Sequence, residues 1–315
     1  MKSLLLSRRG LVVLFLSLLF CFMFSVDGLA ASYTVSTPEE LAGVISALNA
    51  GTVQEAVVTL ASDLELQDDL RLEKGTLTLL GGGHVIVASR NFSLRGSATL
   101  NLGESGYGQT LRWQSSASTQ GILNLKDSAT LNLHENVTLG PSTAYGQAGA
   151  IQADDLSVLN MYGGVIEDCH NPLSVTGAVL LNGNAQFNLY DGIIRNCSGV
   201  HGGAVGLAGT RPIGGSSPTT RKVSFYMHGG RIENCEDSWY GGGAVCIYNA
   251  VPAEFVMTGG VITGCSSLGG EGYGGAVYVN STHPHTRAVI DGGSIYGNLG
   301  VYGGGIFVGQ AGSVS

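Results

Sequence analysis

Charge and proline are both scarce in this 315-residue chain: 12% of residues are Asp, Glu, Lys or Arg, and only 7 are Pro. With 44% of residues apolar, that excludes an intrinsically disordered chain, which stays unfolded through high net charge and few apolar groups. No C-x-x-C pair and no convincing Cys/His ligand set occurs, so zinc-type metal motifs are absent. No Gly-Gly-x-Gly-x-Asp calcium repeats are found. The 50 glycines follow no G-x-y period, which excludes collagen and demands a positional reason for each cluster.

The one long apolar run is N-terminal. Lys2, Arg8 and Arg9 precede the apolar segment Leu11–Val26, and Gly28-Leu29-Ala30 supplies the small residues of a cleavage site. The pattern predicts a signal peptide over residues 1–30, hence a secreted or cell-surface protein, with an uncleaved anchor as the competing reading. Cys21 follows Phe20, too large for a lipobox. Cleavage removes three bases and Asp27, leaving 12 basic and 22 acidic residues and a net charge of −10. That balance argues against nucleic acid and anionic lipid as partners, and no membrane insertion is expected beyond the leader.

Self-similarity sets the fold class. Ser-Ala-Thr-Leu-Asn-Leu begins at both Ser97 and Ser128, an offset of 31 residues. The strand recurs at Leu159-Asn160-Met161, Phe187-Asn188-Leu189, Phe225-Tyr226-Met227, Phe255-Val256-Met257 and Ala288-Val289-Ile290. A second element follows as Gly163-Gly164-Val165-Ile166 and its copies to Gly292-Gly293-Ser294-Ile295. A third reads Gly202-Gly203-Ala204-Val205 and recurs to Gly304-Gly305-Ile306-Phe307. Three short alternating strands per period predict one coil of a parallel β-helix, whose apolar faces are buried only by stacking. The fold class is therefore all-β: a right-handed parallel β-helix of about eight coils over residues 75–315, roughly 40 Å long at the usual strand spacing.

Residues 31–74 read as an N-terminal cap with a helix at about 38–49. Thr37-Pro38-Glu39-Glu40 is a capping-box start, and Leu41, Val44, Ile45 and Leu48 share one face. No equivalent follows the last coil, so the C-terminal end reads as incomplete.

The alternation also assigns columns. Asn101, Asn132, Asn160 and Asn188 fall on the outer face as a stack of amides. Cys169, Cys197, Cys235 and Cys265 share one position, with Asn298 next, and read as buried free thiols. Glu167, Arg195 and Glu233 form a charge column. His201, Trp239, Tyr240, Tyr273 and Tyr302 lie just before the third strands, as an aromatic corner that either packs or contacts a ligand such as a sugar ring. The segments Thr210–Arg221 and Asn280–Arg287 are predicted to protrude from another corner.

The repeat resembles the right-handed β-helix repeats of pectin-lyase-like bacterial surface proteins, and is similar to the GGA(I/V) repeats of polymorphic outer-membrane adhesins, with Ile in place of the Phe of FxxN. The resemblance covers about residues 75–315 and implies an adhesin-like, non-catalytic module that binds glycans or host surface protein through lateral loops. The same fold carries pectate lyases and polygalacturonases, which makes polysaccharide degradation the alternative. Polygalacturonase echoes are partial: Asp154-Asp155, His201-Gly202 and Arg231-Ile232 occur, the N-T-D is missing, Val200 stands before the His, and Glu233 stands where Lys belongs. Calcium would be needed only under the lyase alternative, which would draw on acids such as Asp68, Asp69, Asp168, Glu236 and Asp237. No other cofactor and no catalytic residue is expected.

Overall fold

The computed structural model describes residues 30–116, 121–146, 148–173, 175–208, 222–239, 241–248, 252–281, 283–309 and 313–315. The predicted leader up to residue 29, Tyr240 and the segment from Thr210 to Arg221 lie outside the described residues.

The chain winds as a parallel β-helix. Each coil contributes a strand to a first, a second and a third sheet, of eleven, nine and nine strands, and every pairing between coils is parallel. The sequence predicted three strands per coil. The structure adds a fourth, short column of six two-residue strands between the second and third sheets, which we term the corner sheet. It is too short to show any alternation in the sequence.

The sheets also begin earlier than the residue 75 boundary. Ala31–Val35 and Glu55–Leu60 pair in parallel and open the first sheet, and Leu64–Leu66 and Leu70–Leu72 open the second and third. The helix, Pro38–Ala50, is thus an insertion between the first two strands of the solenoid rather than part of a separate lead-in. Its start follows the sequence: Thr37 Oγ1 accepts from the Glu40 amide at 3.3 Å, and Glu40 Oε2 accepts from the Ser36 amide at 2.7 Å. Leu41, Val44, Ile45 and Leu48 are its buried residues, and Gly51 closes it with φ of 74°.

The interior is a set of register columns. In the first sheet Leu100, Leu131, Leu159, Phe187, Phe225 and Phe255 are aligned. The three phenyl rings stack at 4.9 and 5.1 Å between centroids. Ile166, Ile194, Ile232 and Ile262 form the second-sheet column, and Val179, Val205, Val245 and Val277 the third. All are essentially inaccessible to solvent.

Two repeat positions explain the glycines. Gly164, Gly230 and Gly260 open the second-sheet strands with φ of 79°, 71° and 84°, a conformation in which a Cβ is strained. Gly203, Gly243 and Gly275, by contrast, need only space: a Cβ there would fall 2.3–2.4 Å from a carbonyl oxygen of the next coil. The turn into the corner sheet is made by Asp168, Asn196 and Asn234, all with φ of 53–54°, and by Gly264 and Gly297. These are the residue types that tolerate the left-handed region.

The residue after each of those turns points inward. Cys169, Cys197, Cys235 and Cys265 are buried and free, as the column predicted. Each thiol lies 3.2–3.5 Å from the carbonyl oxygen two residues before it and 3.9–4.0 Å from one on the preceding coil. Asn298, next in the column, donates to the equivalent pair, Tyr296 O and Ile262 O, both at 3.1 Å. Burial pushes the Cys235 and Cys246 thiols well up, away from the reactive thiolate.

Phe225→Ala should cost about 3–5 kcal/mol in a denaturant titration, because it opens a cavity between two stacked rings. The native protein should leave Cys169, Cys197, Cys235, Cys246 and Cys265 unlabelled by a thiol reagent, with labelling appearing only across the unfolding transition.

Candidate functional site: aromatic corners and a ladder face

The corner before the third strands is where the sequence placed its aromatic group. Its anchor is Asp237, on the corner sheet. This carboxylate is wholly buried and accepts backbone hydrogen bonds from Gly202 (2.7 Å), Trp239 (3.0 Å) and Gly241 (2.7 Å). A buried carboxylate is tolerated only when donors surround it, so the chain on either side of Trp239 is pinned while the indole remains half exposed, at 50%.

The other predicted residues divide into two packings. Tyr273 stacks on Tyr302 at 5.3 Å and on Tyr278 at 5.2 Å, with Phe307 at 4.7 Å. The Tyr273 hydroxyl donates to Glu271, and burial pushes the Tyr278 phenol up to about 12. Tyr302 keeps 61% exposure on the outside of this group. His201 instead packs against Tyr248, with ring centroids 4.5 Å apart, and burial lowers its pKa. The exposed rings of this corner are thus Trp239, pinned by Asp237, and Tyr302, backed by Tyr273; His201 belongs to the Tyr248 packing.

The groups that echoed hydrolases and lyases are engaged in structural contacts. Asp154 accepts from Gln152 and from Asn182, each at 2.9 Å, with Lys126 3.8 Å away. Asp155 accepts from the Asp127 amide. Glu167 lies in register with Arg195, and Arg195 with Glu233, so the charge column is real. Its pairing is uneven, however. Arg195 Nε (3.0 Å) and Arg112 Nη2 (2.9 Å) both bind Glu167, while Glu233 takes Arg231 on its own strand at 2.8 Å. Burial alone would raise Glu167; the hydrogen bonds from Arg195 and Arg112 outweigh it and hold the carboxyl below its ordinary value. Among the described residues, no group of three or more His, Cys, Asp or Glu side chains is arranged to hold a metal ion.

A second charged cluster was not foreseen. Glu254 is buried on the outer side of the first sheet, where it accepts from Arg287 Nε (2.7 Å), Tyr226 Oη (3.0 Å) and Lys222 Nζ. Its carboxyl is pushed up by burial but held below the ordinary value by these donors.

Sequence reasoning caught only half of the most regular surface of the molecule. The amide stack is present as a directional ladder: Asn188 donates to Asn160 (2.7 Å), Asn160 to Asn132 (2.9 Å), Asn132 to Asn101 (2.8 Å) and Asn101 to Thr78 (3.0 Å). Beside it runs a column of rings. His134, Tyr162, Tyr190 and His228 stack in order, with centroids 5.3, 5.1 and 5.0 Å apart and planes within 25°. The signal was there to read: each ring sits two residues after the amide-column position, following Leu133, Met161, Leu189 and Met227.

Compared with known proteins, the chain matches no family model, no curated protein and no solved structure.

Glu254→Gln should lower stability at neutral pH by roughly 1–2 kcal/mol, since Lys222 and Arg287 are partly solvated. A carboxyl with a depressed folded pKa stabilises the fold above its unfolded value and loses that effect as the pH falls. The gap between variant and parent should therefore close in urea titrations below the ordinary carboxylate range, about pH 4.3.

Proposed function

We propose that this chain is an exported, cell-surface or secreted, non-catalytic β-helix module that binds a glycan or host surface protein through its sides. The observation that carries this reading is the pinned corner: a half-exposed Trp239 held in place by the buried carboxylate of Asp237. Rigid aromatic side chains present large contact area at little entropic cost, and both sugars and protein surfaces exploit that. The repeated coils supply a stiff support along which such corners are displayed.

Degradation of a uronate polymer is the competing reading. What weighs against it is the use of the candidate groups. Asp154, Asp155, Glu167, Arg195 and Arg231 each serve a structural partner within hydrogen-bonding distance, whereas a catalytic acid or base must reach a bound substrate.

Two measurements test the proposal. Polygalacturonate incubated with the protein, with and without calcium, should release neither unsaturated nor reducing ends; turnover that disappears in Arg195→Ala or Asp155→Asn would overturn it. On glycan and extracellular-protein arrays, Trp239→Ala should lose at least tenfold in affinity for at least one ligand that the parent retains, with an unchanged melting temperature.

A further inference from the structure

The ladder face is used by neither the core nor the aromatic corner. The backbone hydrogen bonds of the first sheet continue through its aromatic residues: the amides of His134, Tyr162, Tyr190 and His228 donate to Leu102, Leu133, Met161 and Leu189. Strand geometry therefore persists one residue past each strand, and side chains two apart lie on the same side. The contact between the Tyr226 and His228 rings, 6.3 Å apart, shows the same. The amide ladder and the ring column are thus neighbouring stripes on one outer face, parallel to the solenoid axis.

Each ring covers its neighbours' faces, so solvent meets their rims. Tyr162 and Tyr190 remain 44% and 43% exposed. The rims carry phenol hydroxyls and imidazole nitrogens. Asn132 and Asn160, beside the first two rings, each spend one N–H on the ladder and keep a second, whereas Asn188 is buried and Tyr226, beside His228, donates its hydroxyl to Glu254. The face therefore repeats an aromatic rim with a polar atom every 5.0–5.3 Å. Over these four coils its third stripe, Thr130, Val158, Gln186 and Ser224, carries no charge; the next coil places Glu254 there, compensated by Lys222 and Arg287. Glu135 and Asp191 flank it in the turns beyond the rings.

A ligand that exploits such a face must be straight, must repeat its own polar groups at the coil spacing, and must not be anionic. Peptide strands fail on spacing, since their residues advance by about 3.3 Å. A β-1,4-linked pyranose chain meets all three conditions. Equatorial linkages keep it flat and extended, and its sugars succeed one another at close to the coil rise; alternate rings are turned over, but each sets hydroxyls at the edge. We infer that the His134–Tyr162–Tyr190–His228 face binds a neutral β-1,4-linked glycan lying along the solenoid axis, one sugar per coil. This rests on the reading of the chain as a non-catalytic binding module, and it assigns that module a surface distinct from the Trp239 corner.

The test is titration calorimetry of the whole protein with cello-oligosaccharides and chito-oligosaccharides of two to six sugars, beside malto-oligosaccharides and oligogalacturonates of equal length. Affinity for at least one β-1,4 series should climb with length up to about four sugars, matching four rings, and then level off. The α-linked and anionic series should bind at least tenfold more weakly. Tyr162→Ala/Tyr190→Ala should abolish the length dependence and cost at least tenfold, with Phe187→Ala excluded as a probe because it opens the core. Tyr162→Phe/Tyr190→Phe separates hydroxyl contacts from ring order and should lose part of the affinity at an unchanged melting temperature. Absence of β-1,4 binding at millimolar concentration, equal binding of α-linked chains, or affinity indifferent to both tyrosine pairs would overturn the inference. Absence of β-1,4 binding together with array binding that depends on Trp239 but not on Tyr162 and Tyr190 would overturn it while leaving the proposed function standing.

Discussion

The parallel backbone hydrogen bonds that join each coil to the next are the interaction on which everything else in this molecule depends. A coil of this size encloses too little apolar surface to fold alone. Once its strands pair with those of its neighbours, every residue acquires a partner at the same position one coil away. Side-chain chemistry is then decided column by column. A position that is inward in one coil is inward in all, so Leu131, Phe187 and Phe255 face one interior though the first and last are more than a hundred residues apart in sequence.

That constraint explains how the polar groups are tolerated. An amide in a column meets another amide, and the Asn188-to-Asn101 ladder satisfies donor and acceptor together. A thiol in a column meets carbonyl oxygens, and an asparagine can replace it in the next coil because its amide nitrogen reaches the same two oxygens. Where charge enters, as at Glu167 and Glu254, the neighbouring coils supply the counter-charge. Asp237 is the exception: it answers to backbone amides at one corner rather than to a column, and that corner carries the exposed tryptophan.

The candidate site was legible only in part. The aromatic residues before the third strands stood out by position, and Trp239 and Tyr302 are exposed there. Their division into two packings was not legible, since it depends on Tyr248, Tyr278 and Phe307 on the third-sheet strands, and the position that Tyr278 and Phe307 share holds Gly206 and Cys246 in the earlier coils. The ring ladder was written at a constant offset from the amide column, but it mixes His with Tyr, and a search for identical residues passes over it.

The sequence by itself determined the architecture, because a β-helix repeats its apolar alternation and its corner glycines every coil, and such repetition survives in one dimension. It also determined the helix at Pro38–Ala50 and the free thiol column, both set by local spacing. Only the tertiary structure decided where the solenoid starts, that a fourth short sheet exists, and which arginine each glutamate takes. Strands of two residues have no periodicity to detect, and Arg112 and Glu167 are brought together by coiling across 55 residues of chain.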